Sequence, residues 1–318
     1  MEKASGYTIG DVISNLRDET APINTAYLHT FSDISFDDLS QIKRIWGDLS
    51  IDRKVLLLQH LLVLMEADTL ISCDDFSVFA MEDQDPRVKC QAISLLWENS
   101  DLKLVPAFIE MLVANPDVSV NAAAADALGK FVLLGELDEI PQETADTVRD
   151  ALLKKYKTTG DDLTKQKVVE SLGYIANDEV TALIKKATKD PSKQWQLSAL
   201  VAIAHSANDI WDKFVVEKLA EKDQDVQIEA IRAAGELEIA SAKEPIIQIL
   251  QESASDEEEH LQAILALSKI GGRDVRQILE ELLETSDNEE ETDLLEIALE
   301  NMDLTDGIVS FDFFSDDE

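Results

Sequence analysis

Apolar residues recur along this chain at helical spacing. Seven residues after a polar opening position come Ala92, Ala124, Val168, Ala199, Ala230 and Ala263. One further on come Ile93, Ala125, Val169, Leu200, Ile231 and Ile264, and eleven after the opening come Leu96, Leu128, Leu172, Ile203, Ala234 and Leu267. Together with the third position, these offsets fall on one face of an α-helix, and the small residue at the seventh predicts close approach to a neighbouring helix. The openings are Asp85, Asp117, Asp161, Ser192, Asp223 and Asp256, with a weaker seventh at Asn288, so the spacings are 32, 44, 31, 31, 33 and 32. Their side chains are of the types that accept the orphan N–H groups of a first helical turn. Upstream of the copies lie further amphipathic stretches, such as 104–114, 179–188, 211–220, 244–253 and 274–284, so the repeating unit is helix, turn, helix. Strict alternation is hard to find, and Gly and Pro, 11 and 7 in number, cluster at helix ends, which removes β-structure from consideration.

A two-helix unit of this size cannot bury its apolar faces alone, so the copies are expected to stack into an all-α solenoid. The skeleton Asp-x-x-Val-(Arg/Lys)-x-x-Ala-x-x-x-Leu-Gly stands nearly intact at 85–97 and 117–129. It resembles the HEAT repeat, especially the short variety of phycobilisome-lyase-like proteins, over roughly residues 45–300. The front portion is also similar to a group of acidic bacterial HEAT-repeat proteins. The resemblance implies an α-solenoid of about eight stacked helix-turn-helix repeats over 45–302, an N-terminal helical cap over 1–44 that is partly flexible, and an acidic aromatic tail over 303–318. One departure stands out. The fourth position, usually Arg in that family, is Lys89, Asn121, Lys165, Gln196, Gln227 or His260, so an Asp-to-Arg ladder between repeats is expected to be weak and stacking to rest on apolar packing.

The resemblance further implies that the second helices line a concave face, with the fifth, ninth and thirteenth positions pointing outward. In the first three copies these are Cys90, Ser94 and Glu98, then Ala122, Asp126 and Lys130, then Gln166, Glu170 and Tyr174. The next three contribute Leu197, Val201 and His205, then Ile228, Arg232 and Glu236, then Leu261, Leu265 and Lys269. Apolar Leu197, Val201 and Ile228 interleaved with Tyr174, His205 and Arg232 make a mixed patch suited to a protein interface. A one-position error in helical phase would return the apolar members to the core.

Trp97 occupies the twelfth position, where the later copies carry Gly129, Gly173, Ala204, Gly235 and Ser268. Either it is presented at the groove edge as an anchor, or it packs on the preceding repeat near Phe76 or Phe79; the area of an indole ring favours packing. Trp46, Trp195 and Trp211 are expected in the core. In the 44-residue interval, Phe131, Leu133, Leu134 and Leu137 either extend the preceding helix into the core or form a projecting apolar hook.

Charge narrows the partners. Lys and Arg total 28 against 65 Asp and Glu, a net charge of −37, which excludes direct binding of nucleic acid or anionic membrane and predicts a basic or amphipathic protein partner. Residues 252–318 hold 22 acidic and 3 basic residues, and there Phe311, Phe313 and Phe314 sit among acids. They belong to a solvating cap or to a linear motif that docks in apolar pockets.

The four histidines lack metal-ligand spacing, no Gly-rich phosphate loop or nucleophile elbow occurs, and no cofactor is expected. Cys73 and Cys90 are too few for a disulfide framework, and no leader is legible, which predicts a reducing cytoplasm. The expected function is a non-catalytic, monomeric protein-binding scaffold. The alternative is a subunit of a phycobilin-lyase-like or other protein-modifying enzyme, weakened because neither cysteine looks placed for bilin transfer.

Overall fold

The computed structural model describes residues 7–252 and 257–312; the side chains of 257 and of 305–312 are not described. Among the described residues there are helices and connecting segments but no strand. The chain divides into two compact units, residues 1–171 and 172–318. The first contains α1 (Ile9–Arg17), α2 (Phe36–Trp46), α3 (Ile51–Ala67), α4 (Asp74–Ala80), α5 (Pro86–Ser94), α6 (Leu104–Ala114), α7 (Val118–Glu136) and α8 (Gln142–Thr158). Helix α9 (Asp162–Leu172) runs to the division between the units. The second contains α10 (Asp178–Ala187), α11 (Lys193–His205), α12 (Asp212–Lys218), α13 (Gln224–Glu236), α14 (Lys243–Glu252), α15 (Glu257–Ile270), α16 (Arg273–Thr285) and α17 (Glu289–Asp312). Helix α17 thus continues across residue 303.

The architecture is that of an all-α solenoid. Within each unit the helices pair as hairpins, α6 with α7, α12 with α13, α14 with α15 and α16 with α17. The second helices then stack on one another, α3 on α5 on α7 and, separately, α11 on α13 on α15 on α17. The opening residues do cap their helices. Asp85 accepts from the Arg87 N–H at 2.9 Å, Asp117 from Ser119 at 2.9 Å and Asp161 from Thr164 at 2.7 Å. Ser192 accepts from Trp195 at 3.4 Å, Asp223 from Val226 at 3.4 Å and Asn288 from Glu290 at 3.0 Å. Asp256 lies outside the described residues. All eighteen side chains at the seventh, eighth and eleventh positions are buried, so the helical phase read from the apolar stripe holds through six copies.

Ser50 opens a further copy ahead of these, accepting from the Arg53 N–H at 3.2 Å, with Leu57, Leu58 and Leu61 in the matching core positions. Behind it, Trp46 packs edge-on against Phe76 and Phe79, with ring centroids 5.5 Å apart in both pairs. Its indole N–H donates to Asp83 at 2.7 Å, and Lys54 pairs with the same carboxylate at 2.8 Å. The first unit's N-terminal helix is tied down by Arg53, whose guanidinium donates to the carbonyls of Asn15 at 2.6 Å and Ala21 at 2.7 Å.

The fourth position has a role that the sequence reading did not anticipate. In four of the six copies its side chain reaches back to carbonyls at or just beyond the end of the preceding helix. Lys89 donates to Met81 O at 3.2 Å, Gln196 to Asp190 O at 2.6 Å and Gln227 to Leu219 O at 2.8 Å. Asn121 Nδ2 lies 3.1, 2.9 and 3.0 Å from the carbonyls of Met111, Asn115 and Asp117. A donor here ties the two helices of one repeat together, whether an amide or an ammonium.

The insertion extends α7. Phe131 is fully buried, with its ring centroid 6.3 Å from that of Phe108; Leu133 and Leu134 are half-buried, and Leu137 is exposed beyond the helix end. By length and composition α7 is also the one described helix that could cross a membrane. Its apolar side chains Ala124, Leu128 and Phe131 have no exposed surface, as in the core helix of a folded unit.

A candidate protein-binding face

Three second helices build the candidate face in the 172–318 unit. Helices α11, α13 and α15 approach closely because their facing positions are small: Ala199, Ala230, Ala233, Ala234 and Ala263 have no exposed surface. A Cβ on Gly235 would lie 2.7 Å from Ala266 Cα, so only glycine permits this spacing between α13 and α15. Leu197, Val201, Ile228, Leu261 and Leu265 are all half-buried, lying neither in the core nor free in solvent.

Polar and aromatic pairs flank this apolar row. Tyr174 and His205 stack face to face, ring centroids 4.1 Å apart and planes inclined by 10°. Arg232 donates through Nε and Nη2 to Glu229 at 3.0 and 2.6 Å, and Lys269 pairs with Glu236 at 2.7 Å. Between them lies a small cleft of about 160 Å³, lined by Arg232, Gly235, Glu236, Gln262, Leu265, Ala266 and Lys269. Lys193 is held by Asp223 at 2.8 Å and Asp225 at 2.5 Å. The cations of this face are therefore already neutralised, and what it offers a partner is apolar area with excess negative charge around it.

In the 1–171 unit the outward pattern is interrupted. Glu170 was expected on the exposed face, but it is 8% exposed and accepts from Lys167 at 2.8 Å. Gln166 and Ala122 are buried likewise. The step between α7 and α9 is also tight. A Cβ on Gly129 would meet Ser171 Oγ at 2.9 Å, and that hydroxyl donates to Ala125 O at 2.9 Å.

The same step explains why the twelfth position is small: it is where the next second helix crosses. Trp97 escapes the requirement because α5 ends at Ser94, and the turn that follows carries residue 97 away from the crossing. Its side chain is 49% exposed, which corrects the expectation that it packs near Phe76 or Phe79; Trp46 fills that place. The Trp97 carbonyl accepts from Lys130 at 2.6 Å, and exposed Glu98 stands near the same ammonium. Burial pushes the Lys130 pKa down, with Glu98 and Asp74 opposing it. Trp46 and Trp211 are buried and Trp195 is half-buried. Phe313 and Phe314 lie outside the described residues, as does the side chain of Phe311.

Neither thiol is poised for chemistry. Burial, helped by the negative charges of Asp74 and Asp33, pushes Cys73 up to about 12, and burial also raises Cys90. Among the described residues, no three His, Cys, Asp or Glu side chains are grouped to hold a metal ion.

A family model for HEAT repeats matches residues 76–156 and 213–300. No curated protein matches the chain. Among solved structures, the chain is similar to the complex of CpcE and CpcF of phycocyanin lyase from a Nostoc species, with 18% identity, 90% of this chain and 97% of that chain covered, and a TM-score of 0.52. It also matches the E. coli protein YibA at 14% identity, covering 90% of this chain and 98% of that one, with a TM-score of 0.44. Human deoxyhypusine hydroxylase matches at 16% identity, 93% and 96% coverage, and a TM-score of 0.37. At these identities the likeness is one of fold.

Proposed function

The chain belongs to the HEAT-repeat family, and on that premise we propose that it is a non-catalytic scaffold holding a basic or amphipathic protein segment against the face of α11, α13 and α15. The observation that carries this is the half-buried row of Leu197, Val201 and Ile228 beside the Tyr174–His205 stack. Apolar anchors in the middle with charged Arg232 and Glu236 at the margin follow the anatomy of a protein interface. The sign of the partner follows from a net charge of −37 and from the local neutralisation of Arg232, Lys193 and Lys269. Glu98, Trp97 and the tail phenylalanines are secondary elements of the same reading, and a reducing cytoplasm is the setting it assumes. Two thiols held protonated speak against the alternative of a thiol-using modifying subunit.

The test is affinity capture from native lysate, at low and high salt, on immobilised full chain, with the double substitution Tyr174→Ala and Arg232→Ala and with Phe313→Ser and Phe314→Ser. The proposal expects a basic protein that is retained by the wild type and lost with the first pair. Retention of every bound protein by that variant would refute the face, and visible absorbance of the purified chain would favour the lyase-type reading instead.

A further inference from the structure

Helix α6, LVPAFIEMLVA, is unlike the other first helices. Glu110 is its single charged residue, whereas α10 carries Asp178, Glu179, Lys185 and Lys186, and α16 carries six charged side chains. Its inward positions Leu104, Val105, Phe108 and Leu112 are buried, as a first helix requires. Its outer face is apolar too: Val113 is 52% exposed, Pro106 is exposed, and Ile109 and the preceding Leu102 are half-buried. An all-round apolar helix at a surface marks a contact the chain does not itself complete.

The surroundings shape this face into a trough of about 680 Å³ between α6 and α8. Its opposite wall is set by the insertion. The lengthened α7 ends where a Cβ on Gly135 would meet Ala145 Cβ at 2.6 Å, which holds the start of α8 close and leaves Glu143, Thr144 and Thr147 facing the trough. Leu102, Pro106, Ile109 and Val113 recur at helical spacing along the floor over about 16 Å, roughly three turns. The only charged lining residues are Glu110 and Glu143, and no Lys or Arg lines it.

We propose that this trough receives one amphipathic helix of a protein partner, its apolar stripe laid along α6 and its basic residues meeting Glu110 and Glu143. The row of apolar positions matches the i, i+3/i+4, i+7 anchors of a helix seated in a groove, and the acidic rim selects Lys or Arg on its flanks. This surface is built from other residues than the face proposed above and lies on first rather than second helices.

The probe is a fluorophore-labelled peptide of Leu and Lys, about four helical turns long with its Leu residues on one face. It is titrated into the full chain at physiological ionic strength and followed by anisotropy. Val113→Glu, at an exposed helical position, and the pair Glu110→Lys with Glu143→Lys are each expected to weaken binding by about tenfold or more. The charge reversal Glu280→Lys with Glu284→Lys, on α16, is expected to leave it unchanged within about twofold. A peptide of the same composition with scrambled Leu positions should bind weakly; equal binding would reduce the effect to bulk charge and overturn the proposal. So would an unchanged affinity in Val113→Glu. A wild-type dimer that Val113→Glu abolishes would make a second copy the occupant, and a gain in peptide affinity on Phe313→Ser with Phe314→Ser would make it the chain's own terminus. Either result overturns the assignment to a partner helix.

Discussion

Replacing Gly235 by Ala adds one methyl group in the last turn of α13, where Ala is preferred over Gly by at most about 1 kcal/mol. In α13 the sign is expected to reverse. The new Cβ would stand 2.7 Å from Ala266 Cα and 3.0 Å from Ala266 Cβ, both fixed to the α15 backbone, so no side-chain rotation relieves the clash. The helices must part by about 1 Å to recover an ordinary carbon–carbon contact. Parting them loosens the contacts of Ala234, Ala263, Ile264 and Leu267, all of which have no exposed surface. Overpacking of this kind costs about 1–3 kcal/mol, which against the helix-propensity gain leaves a net loss of up to about 2 kcal/mol. Gly10→Ala supplies the contrast: there the nearest atom to the added Cβ is Thr8 Oγ1 at 3.5 Å, and a gain of about 0.5 kcal/mol is expected. Urea unfolding followed by far-UV circular dichroism compares the midpoints, and hydrogen exchange in residues 224–236 and 257–270 locates the loss. If Gly235→Ala raises the midpoint as Gly10→Ala does, the close approach of α13 and α15 is wrong, and with it the account of why the twelfth position is small.

The packing fixes four further outcomes. Lys54→Met strands the Asp83 carboxylate in a site where the two side chains are 9% and 7% exposed, and should cost about 3 kcal/mol; adding Asp83→Leu should recover most of it, and no recovery would refute the pairing. For Asp83, burial raises the pKa, but the Asp85 N–H, Lys54 and the Trp46 indole together hold it below the ordinary carboxylate value. Its stabilising effect is therefore complete above about pH 3.9, the unfolded value, and lost as pH falls through the lower folded one, so Asp83→Asn should flatten the stability curve in that acid range. Gln227→Leu removes the donor to Leu219 O and should destabilise by about 1 kcal/mol, with faster amide exchange at the end of α12; unchanged exchange there would dismiss the clamp. Cys73, with its thiol pushed up to about 12, should stay unmodified by a disulfide reagent at pH 8 in the native protein and react on unfolding; native reactivity would contradict its burial.

Much of the fold was legible because it depends on local periodicity. The opening Asp, Ser and Asn residues and the apolar stripe are readable from neighbours a few positions apart, and helix caps and core faces obey those same short distances. Even the outward phase of Leu197, Val201 and Ile228 followed from counting along a helix. Counting failed where one helix meets another. Glu170 and Leu197 occupy comparable outward positions, yet Glu170 is buried and paired with Lys167 while Leu197 is half-buried. Trp97 has the offset of a packed residue, but α5 ends too soon to keep it there. The fourth-position clamp was visible as a departure from the family pattern, and its meaning depended on which carbonyls lay within reach.

The amino-acid sequence by itself determined which residues are helical, where each helix starts and which stripe is buried, because those follow from hydrogen-bond capping and hydrophobic periodicity within one segment. The tertiary structure alone decided how near the helices come, and so which outward side chains are covered, which are paired and which remain open to a partner. Those distances are set by the side chains of two segments at once.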